Sequence, residues 1–263
     1  MRPLNYLGFF LTLFWLIHPG QHQLAAQNLT VQDATEAPFT PENLISNFFL
    51  GEGVEVLDIQ YEGAPAAVGY FSDGGSTIGI ERGILMTTGV ARTQNASLGA
   101  DSNSETNAGS TTNSTVTDRD IEDIVSGVIT SDIARYIIKF TPVADTLRFR
   151  YSFASEEYPE FVCSNYNDVF GFFISGPGIN GTFQDGAQNI ARIPGTEFPV
   201  RINNVNSGTP GSQGPNINNC LPPSGSLNFS QFYNETPAGQ QPVYDGFTDV
   251  FEAVIGLTPC ETY

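Results

Sequence analysis

Alternation of apolar and polar residues is clearest in TLRFRYSF. There Leu147, Phe149, Tyr151 and Phe153 fall on one side, and Arg148, Arg150 and Ser152 on the other. That period of two is a strand with one buried face. ARYIIKFTPV repeats it through Tyr136, Ile138 and Phe140, and DVFEAVIGLT through Phe251, Ala253, Ile255 and Leu257. DVFGFFIS, residues 168–175, is almost continuously apolar, the pattern of a strand covered on both faces. Weaker strand signals are GVEVLDIQYEG, GYFSD, GILMTTG and FPVRINNV.

Two segments carry the helical period instead. In TPENLISNFF, Thr40 is placed as N-cap and Pro41 at the first helical position. Leu44, Ile45, Phe48 and Phe49 then share one face. In TDRDIEDIVSG, Asp118 is the cap and Ile121, Ile124 and Val125 are the apolar positions. Glycine-rich turns separate the strands, as at Asp73-Gly74-Gly75 and Gly176-Pro177-Gly178. Many strands, one or two short helices and long polar loops predict an all-β fold, a β-sandwich of jelly-roll type. The two longest polar insertions are residues 94–118 and 203–226. Within one domain such loops are functional or disordered.

The N-terminus breaks this pattern. Arg2 precedes the apolar run YLGFFLTLFWLI, which is too short to span a bilayer core of about 30 Å. Residues 1–26 read as a secretory signal peptide, 27–40 as a leader and 41–263 as the domain. The chain ends on PCETY directly after a strand, which suggests a C-terminally truncated piece of a longer secreted protein.

Removing residues 1–26 takes away His18, His22 and Trp15. The remainder has nine basic residues against 28 acidic ones, a formal charge of −19. So acidic a surface repels phosphate backbones, and no nucleic-acid partner is expected. Without histidine there is no Ser-His-Asp triad, no Cys-His pair and no imidazole metal ligand. Carboxylates, amides, hydroxyls and aromatic rings are the chemistry left.

These groups concentrate in FASEEYPEFVCSNYNDVFGFFISGPG, residues 153–178. Glu156 and Glu157 would point to opposite faces if the strand from Leu147 continued through them. A glycosidase pair would need Glu157 or Glu160 with Asp168 instead. Glu156, Glu157, Asn165, Asn167 and Asp168 are oxygen ligands of the kind calcium takes, and Asp101, Asn103 and Glu105 resemble half a calcium loop. The plainer alternative has these side chains bonding loop backbone, with Tyr158, Phe161 and Tyr166 packing the loop down. Three cysteines in an exported chain leave one over. Cys163 and Cys220 both lie in loops and are expected to pair, with Cys260 unpaired or bonded outside the chain.

The same stretch resembles the signature of the choice-of-anchor L domain family, found in secreted proteins of Bacteroidota-type bacteria. GILMTTG, DRDIEDI, DTLRFRYSF, NIARIPGTEFPVRINNVN, YDGFTDVFEA and PCETY are similar to its other blocks, in order. The resemblance implies an exported or cell-surface protein of a Gram-negative bacterium, with an anchoring segment outside this chain and no transmembrane segment in the mature part. It implies no catalytic residue to carry over. The functional expectation is a non-enzymatic surface module in adhesion, surface assembly or display of neighbouring domains. The alternatives are a module binding a glycan or peptide with calcium, with loops 94–118 and 203–226 as its face, and a hydrolase using carboxylates alone.

Overall fold

The computed structural model describes residues 29–35, 37–92, 116–125 and 127–263. Residues 1–26, read as a signal peptide, most of the 94–118 loop and residues 101–105, read as half a calcium loop, lie outside them.

Fourteen strands form among the described residues: β1 Thr30–Asp33, β2 Val54–Glu62, β3 Val68–Ser72, β4 Gly83–Met86, β5 Arg135–Pro142, β6 Thr146–Tyr151, β7 Ala154–Ser155, β8 Val169–Phe170, β9 Phe173–Ile174, β10 Gln188–Asn189, β11 Val200–Arg201, β12 Tyr233–Glu235, β13 Gly246–Thr248 and β14 Phe251–Gly256. All pairings are antiparallel. They give the orders β1-β3-β4, β12-β13-β7, β2-β5, β6-β14, β8-β11 and β9-β10. The all-β class holds, with no barrel. A jelly-roll strand order does not emerge from these small sheets.

The strongest alternations became the longest ladders. β6 lies against β14 from Tyr151–Phe251 to Thr146–Gly256, and β5 against β2 from Arg135–Glu62 to Pro142–Val54 with a bulge at Leu57. Their inward residues Phe140, Tyr151, Phe251, Ala253 and Leu257 join Ile174, Ile190, Ile193, Val200 and Val205 in the main core. β1 lies inside the segment read as a leader. It pairs with β3, and Val31 is buried against Phe71 and Tyr244.

Both helices are short and capped as expected. α1, Pro41–Leu44, starts with Asn43 N donating to Thr40 Oγ1 at 3.4 Å. It widens into a π turn over Ile45–Phe49. Leu44 and Ile45 stay buried, while Phe48 swings outward and forms a triangle of ring contacts with Phe39 and Tyr70. α2, Arg119–Ile124, starts with Ile121 N donating to Asp118 Oδ1 at 3.1 Å. Asp118 Oδ2 accepts from Arg135 of β5, which also pairs with Glu62 of β2.

DVFGFFIS differs from expectation. It is two strands, because its backbone changes partners at Gly171-Phe172. β8 pairs with β11, whereas Phe172 N donates to Asn189 Oδ1 and β9 pairs with β10. A Cβ on Gly171 would lie 2.6 Å from the Phe173 ring and 2.9 Å from Ile121, so any larger residue would have to displace both side chains at the crossing. FPVRINNV is likewise a strand only at Val200–Arg201, then turns back as Val205 N bonds Arg201 O.

Candidate functional site

The acidic stretch begins where β7 ends. Ser155 is the last strand residue, and Glu156–Glu160 form a turn, so the opposite-face argument for the two glutamates does not apply. The buried Ser155 hydroxyl holds the turn. Its Oγ donates to Asp168 Oδ2 at 2.8 Å and accepts from Glu157 N at 3.0 Å. Glu157 Oε2 is shut off from solvent and has no hydrogen-bond partner. Neither Glu157 nor Asp168 meets a Lys or Arg in an ion pair among the described residues.

Electrostatics follow from that geometry. Burial, then the charges of Asp168, Glu160 and Glu156, push Glu157 from 4.5 up to about 7. Burial also raises Asp168, partly offset by the Ser155 hydrogen bond. Tyr244 is pushed up to about 12, first by burial, with Thr87 opposing and Glu156 and Asp168 adding to it. Glu156, Glu157 and Asp168 therefore lie within electrostatic reach of one another. An acid–base pair of carboxyls needs environments that push the two apart. Here both move upward.

Asn165 and Asn167 serve another purpose. Asn167 Oδ1 accepts from Asn203 N at 3.0 Å, and Asn165 Oδ1 from Asn219 Nδ2 at 3.2 Å. They tie the 156–168 loop to the 203–226 loop rather than turning toward the carboxyls. Among the described residues, no three His, Cys, Asp or Glu side chains group in a way that could hold a metal ion.

The tie between the two loops is dense. Cys163 and Cys220 form a disulfide, with their Cα atoms 5.2 Å apart, as expected from the sequence, and Cys260 is free and exposed. Cys163 N donates to Asn203 Oδ1 at 2.6 Å, and Asn203 Nδ2 donates to Ser164 O at 3.1 Å. Asn219 Nδ2 reaches both Cys163 O and Ser164 O. Backbone bonds run from Gly211 to Val162, Gln213 to Glu160 and Asn216 to Cys163. Gly211 is needed for this: a Cβ there would lie 2.1 Å from Glu160 O. Beneath, Tyr158 is wholly buried, and its hydroxyl donates to Val205 O at 2.5 Å. Arg201, also buried, donates to Ile124 O and Ser224 O and so ties the end of α2 to the same loop.

Of the two joined loops, residues 202–234 contain no Asp, Glu, Lys or Arg, while the facing loop carries Glu156, Glu157, Glu160 and Asp168. Together they expose Tyr166 by 64 %, Ile217 by 48 % and Leu221 by 48 %. Tyr166 was expected to pack the loop down. It leans edge-on against Phe161 and stays outside. The sequence reading missed Ser155, Asn203 and Asn219. A run of asparagines flanking Val205 was the available signal, because a buried Asn can satisfy two backbone partners at once.

The described residues form an acidic all-β unit in which a disulfide and a network of amide hydrogen bonds join two polar loops. The chain belongs to the choice-of-anchor L domain family, whose model matches residues 30–263. This is not a known enzyme family, and membership implies a surface-associated or secreted protein. No curated protein and no solved structure matches the chain. Among the described residues, no helix is long and apolar enough to cross a membrane.

Proposed function

We propose that the chain is a non-enzymatic module on the cell surface of a Gram-negative bacterium. It presents a rigid loop face for adhesion, surface assembly or display of neighbouring domains. The observation that carries this reading is the pair of loops stapled by Cys163–Cys220, with Tyr166, Ile217 and Leu221 outward and no charged residue over 202–234. Tyr among Ser, Gly and Asn on fixed loops supplies contact area and adaptable hydrogen bonding at low entropic cost. A jelly-roll stacking of the sheets, with these loops at one end, belongs to the same proposal. The test is a triple variant, Tyr166→Ala with Ile217→Ser and Leu221→Ser, in the cell-surface protein. Adhesion or surface assembly should be lost with the melting temperature nearly unchanged, since the three side chains are exposed. Full retention of both would discard the reading.

A calcium-dependent version is favoured by one observation, the buried and unpartnered Glu157 Oε2 beside Asp168. An ion there would take both carboxyls and add backbone carbonyls. It would raise the melting temperature at millimolar calcium, and Glu157→Gln would remove the rise. No shift in the parent protein ends that version.

A further inference from the structure

Two aromatic side chains among the described residues are exposed, Phe48 and Tyr166. Phe48 has a structural use, since its ring lies 5.5 Å from Phe39 and 4.7 Å from Tyr70. Tyr166 meets one ring, Phe161, edge-on at 5.2 Å, and most of its surface faces solvent. Its backbone is pinned all the same. The buried Ser164 hydroxyl accepts from Tyr166 N at 3.0 Å and donates to Tyr166 O at 3.2 Å. Ser164 O in turn accepts from Asn203 and Asn219, next to the Cys163–Cys220 bond. An outward ring on a pinned backbone adds little to folding stability. It offers contact area that loses little entropy when something covers it.

The groups beside it are amides. Asn165, its chain neighbour, is exposed, and its Oδ1 accepts from Asn219 Nδ2 at 3.2 Å. Asn216 and Asn218 are exposed on the turn that docks here. Asn216 N donates to Cys163 O at 2.8 Å, and Asn216 Oδ1 accepts from Asn218 N at 3.1 Å. A side-chain amide carries donors and an acceptor side by side. Neighbouring hydroxyls on a sugar ring offer the matching roles, and the C–H face of that ring is apolar. Charge narrows the choice further. Residues 151–191 and 202–234 contain no Lys or Arg, so neither loop supplies a cation for an anionic ligand. The acidic chain as a whole repels polyanions. A peptide is read along a strand edge or in a groove beside helices. Tyr166 belongs to neither a strand nor a helix.

We propose that Tyr166 and the amides beside it bind a neutral glycan. One sugar ring stacks on the Tyr166 ring, and hydroxyls bond Asn165, Asn216 and Asn218. This rests on the reading of the stapled loops as the contact face, and it names the partner of that face. The ring fixes where the sugar sits, and the amides discriminate among hydroxyl arrangements.

The test uses the chain from Gln27 to Tyr263 with carbon-13 in its tyrosine rings. The probes are dextran, laminarin and mannan, with alginate as the anionic control. A chelator is present, so calcium plays no part. In an NMR titration at least one neutral polymer should shift the Tyr166 ring signals. Raising salt from about 0.05 to about 0.5 M should change that affinity by less than about twofold, because no ionic contact is there to be screened. Tyr166→Ala and Tyr166→Leu should weaken binding by about tenfold or more, and Tyr166→Phe by less than about threefold, since stacking needs the ring and not the hydroxyl. All three variants should melt with the parent. No shift at Tyr166 with any neutral polymer overturns the proposal. So does binding that survives Tyr166→Ala, or a preference for alginate. If the triple variant stops adhesion while no polymer touches Tyr166, the contact face stands and the glycan falls. If a polymer binds at Tyr166 and the triple variant still adheres, the glycan stands and the adhesion reading falls.

Discussion

The stapled loops and the β2–β5 ladder reverse what their sequences suggest. Residues 203–226 read as a loose polar insertion, yet Asn203, Asn204 and Asn206 are buried and the segment is bonded to its neighbour by disulfide, side chain and backbone. β5 reads as regular and well packed, yet among the described residues the outward backbone groups of Ile138 and Tyr136 make no hydrogen bond. Regular alternation guarantees a strand but says nothing about how many partners the strand finds. A polar loop becomes rigid when each amide has a fixed acceptor.

Four measurements test that contrast, from the largest effect down. Replacing both Cys163 and Cys220 with serine opens a loop spanning 57 positions. The chain-entropy argument puts the loss at about 4 kcal/mol, to be read from urea unfolding. A loss near zero would mean that the hydrogen bonds alone hold the loops. Asn203→Ala leaves Cys163 N unpaired in the interior, while Ser164 O keeps its bond from Asn219, and should lose about 1–3 kcal/mol in the same assay. A cost as small as that of a surface substitution would break the comparison from the other side.

The third concerns pH. Glu157 in the folded chain titrates near 7, above its ordinary 4.5. The folded state therefore holds its proton more tightly than the unfolded state. That stabilisation is present below pH 4.5 and is lost as pH rises through about 7. Because the group is only partly buried, solvent screening reduces the effect to about 1–2 kcal/mol. Thermal melts from pH 5 to 8 should show stability falling, and Glu157→Gln should flatten the curve. A flat parent curve would show that the carboxyl is solvated. The smallest effect belongs to an exposed residue. Ile129→Ser, at a position 80 % exposed, should change stability by less than about 0.5 kcal/mol. A larger loss would show that the Ile129 side chain is packed rather than exposed.

Much of the fold was legible because local physics decides it. The alternation in TLRFRYSF became β6, and Thr40 and Asp118 became caps, since each depends on neighbours a few residues away. The Cys163–Cys220 pairing followed from the loop positions of two of only three cysteines. What failed depended on distant partners. DVFGFFIS could not show that its two halves meet different strands. Glu156 and Glu157 were placed by extending a strand that stops at Ser155, where the hydroxyl turns to Asp168, thirteen residues on. The carboxyls and the two asparagines looked like one ligand set, and the fold uses them in separate networks.

The disulfide also sets when and where the loop face comes into being. Thiols stay reduced in a bacterial cytosol and pair only in an oxidising compartment. A reduced chain lacks the bond that joins the two loops, so the loop pair is completed only where that bond can form. Once that bond has formed, the exposed Cys260 is the one thiol left free among the described residues, and so the one from which thiol–disulfide exchange would start.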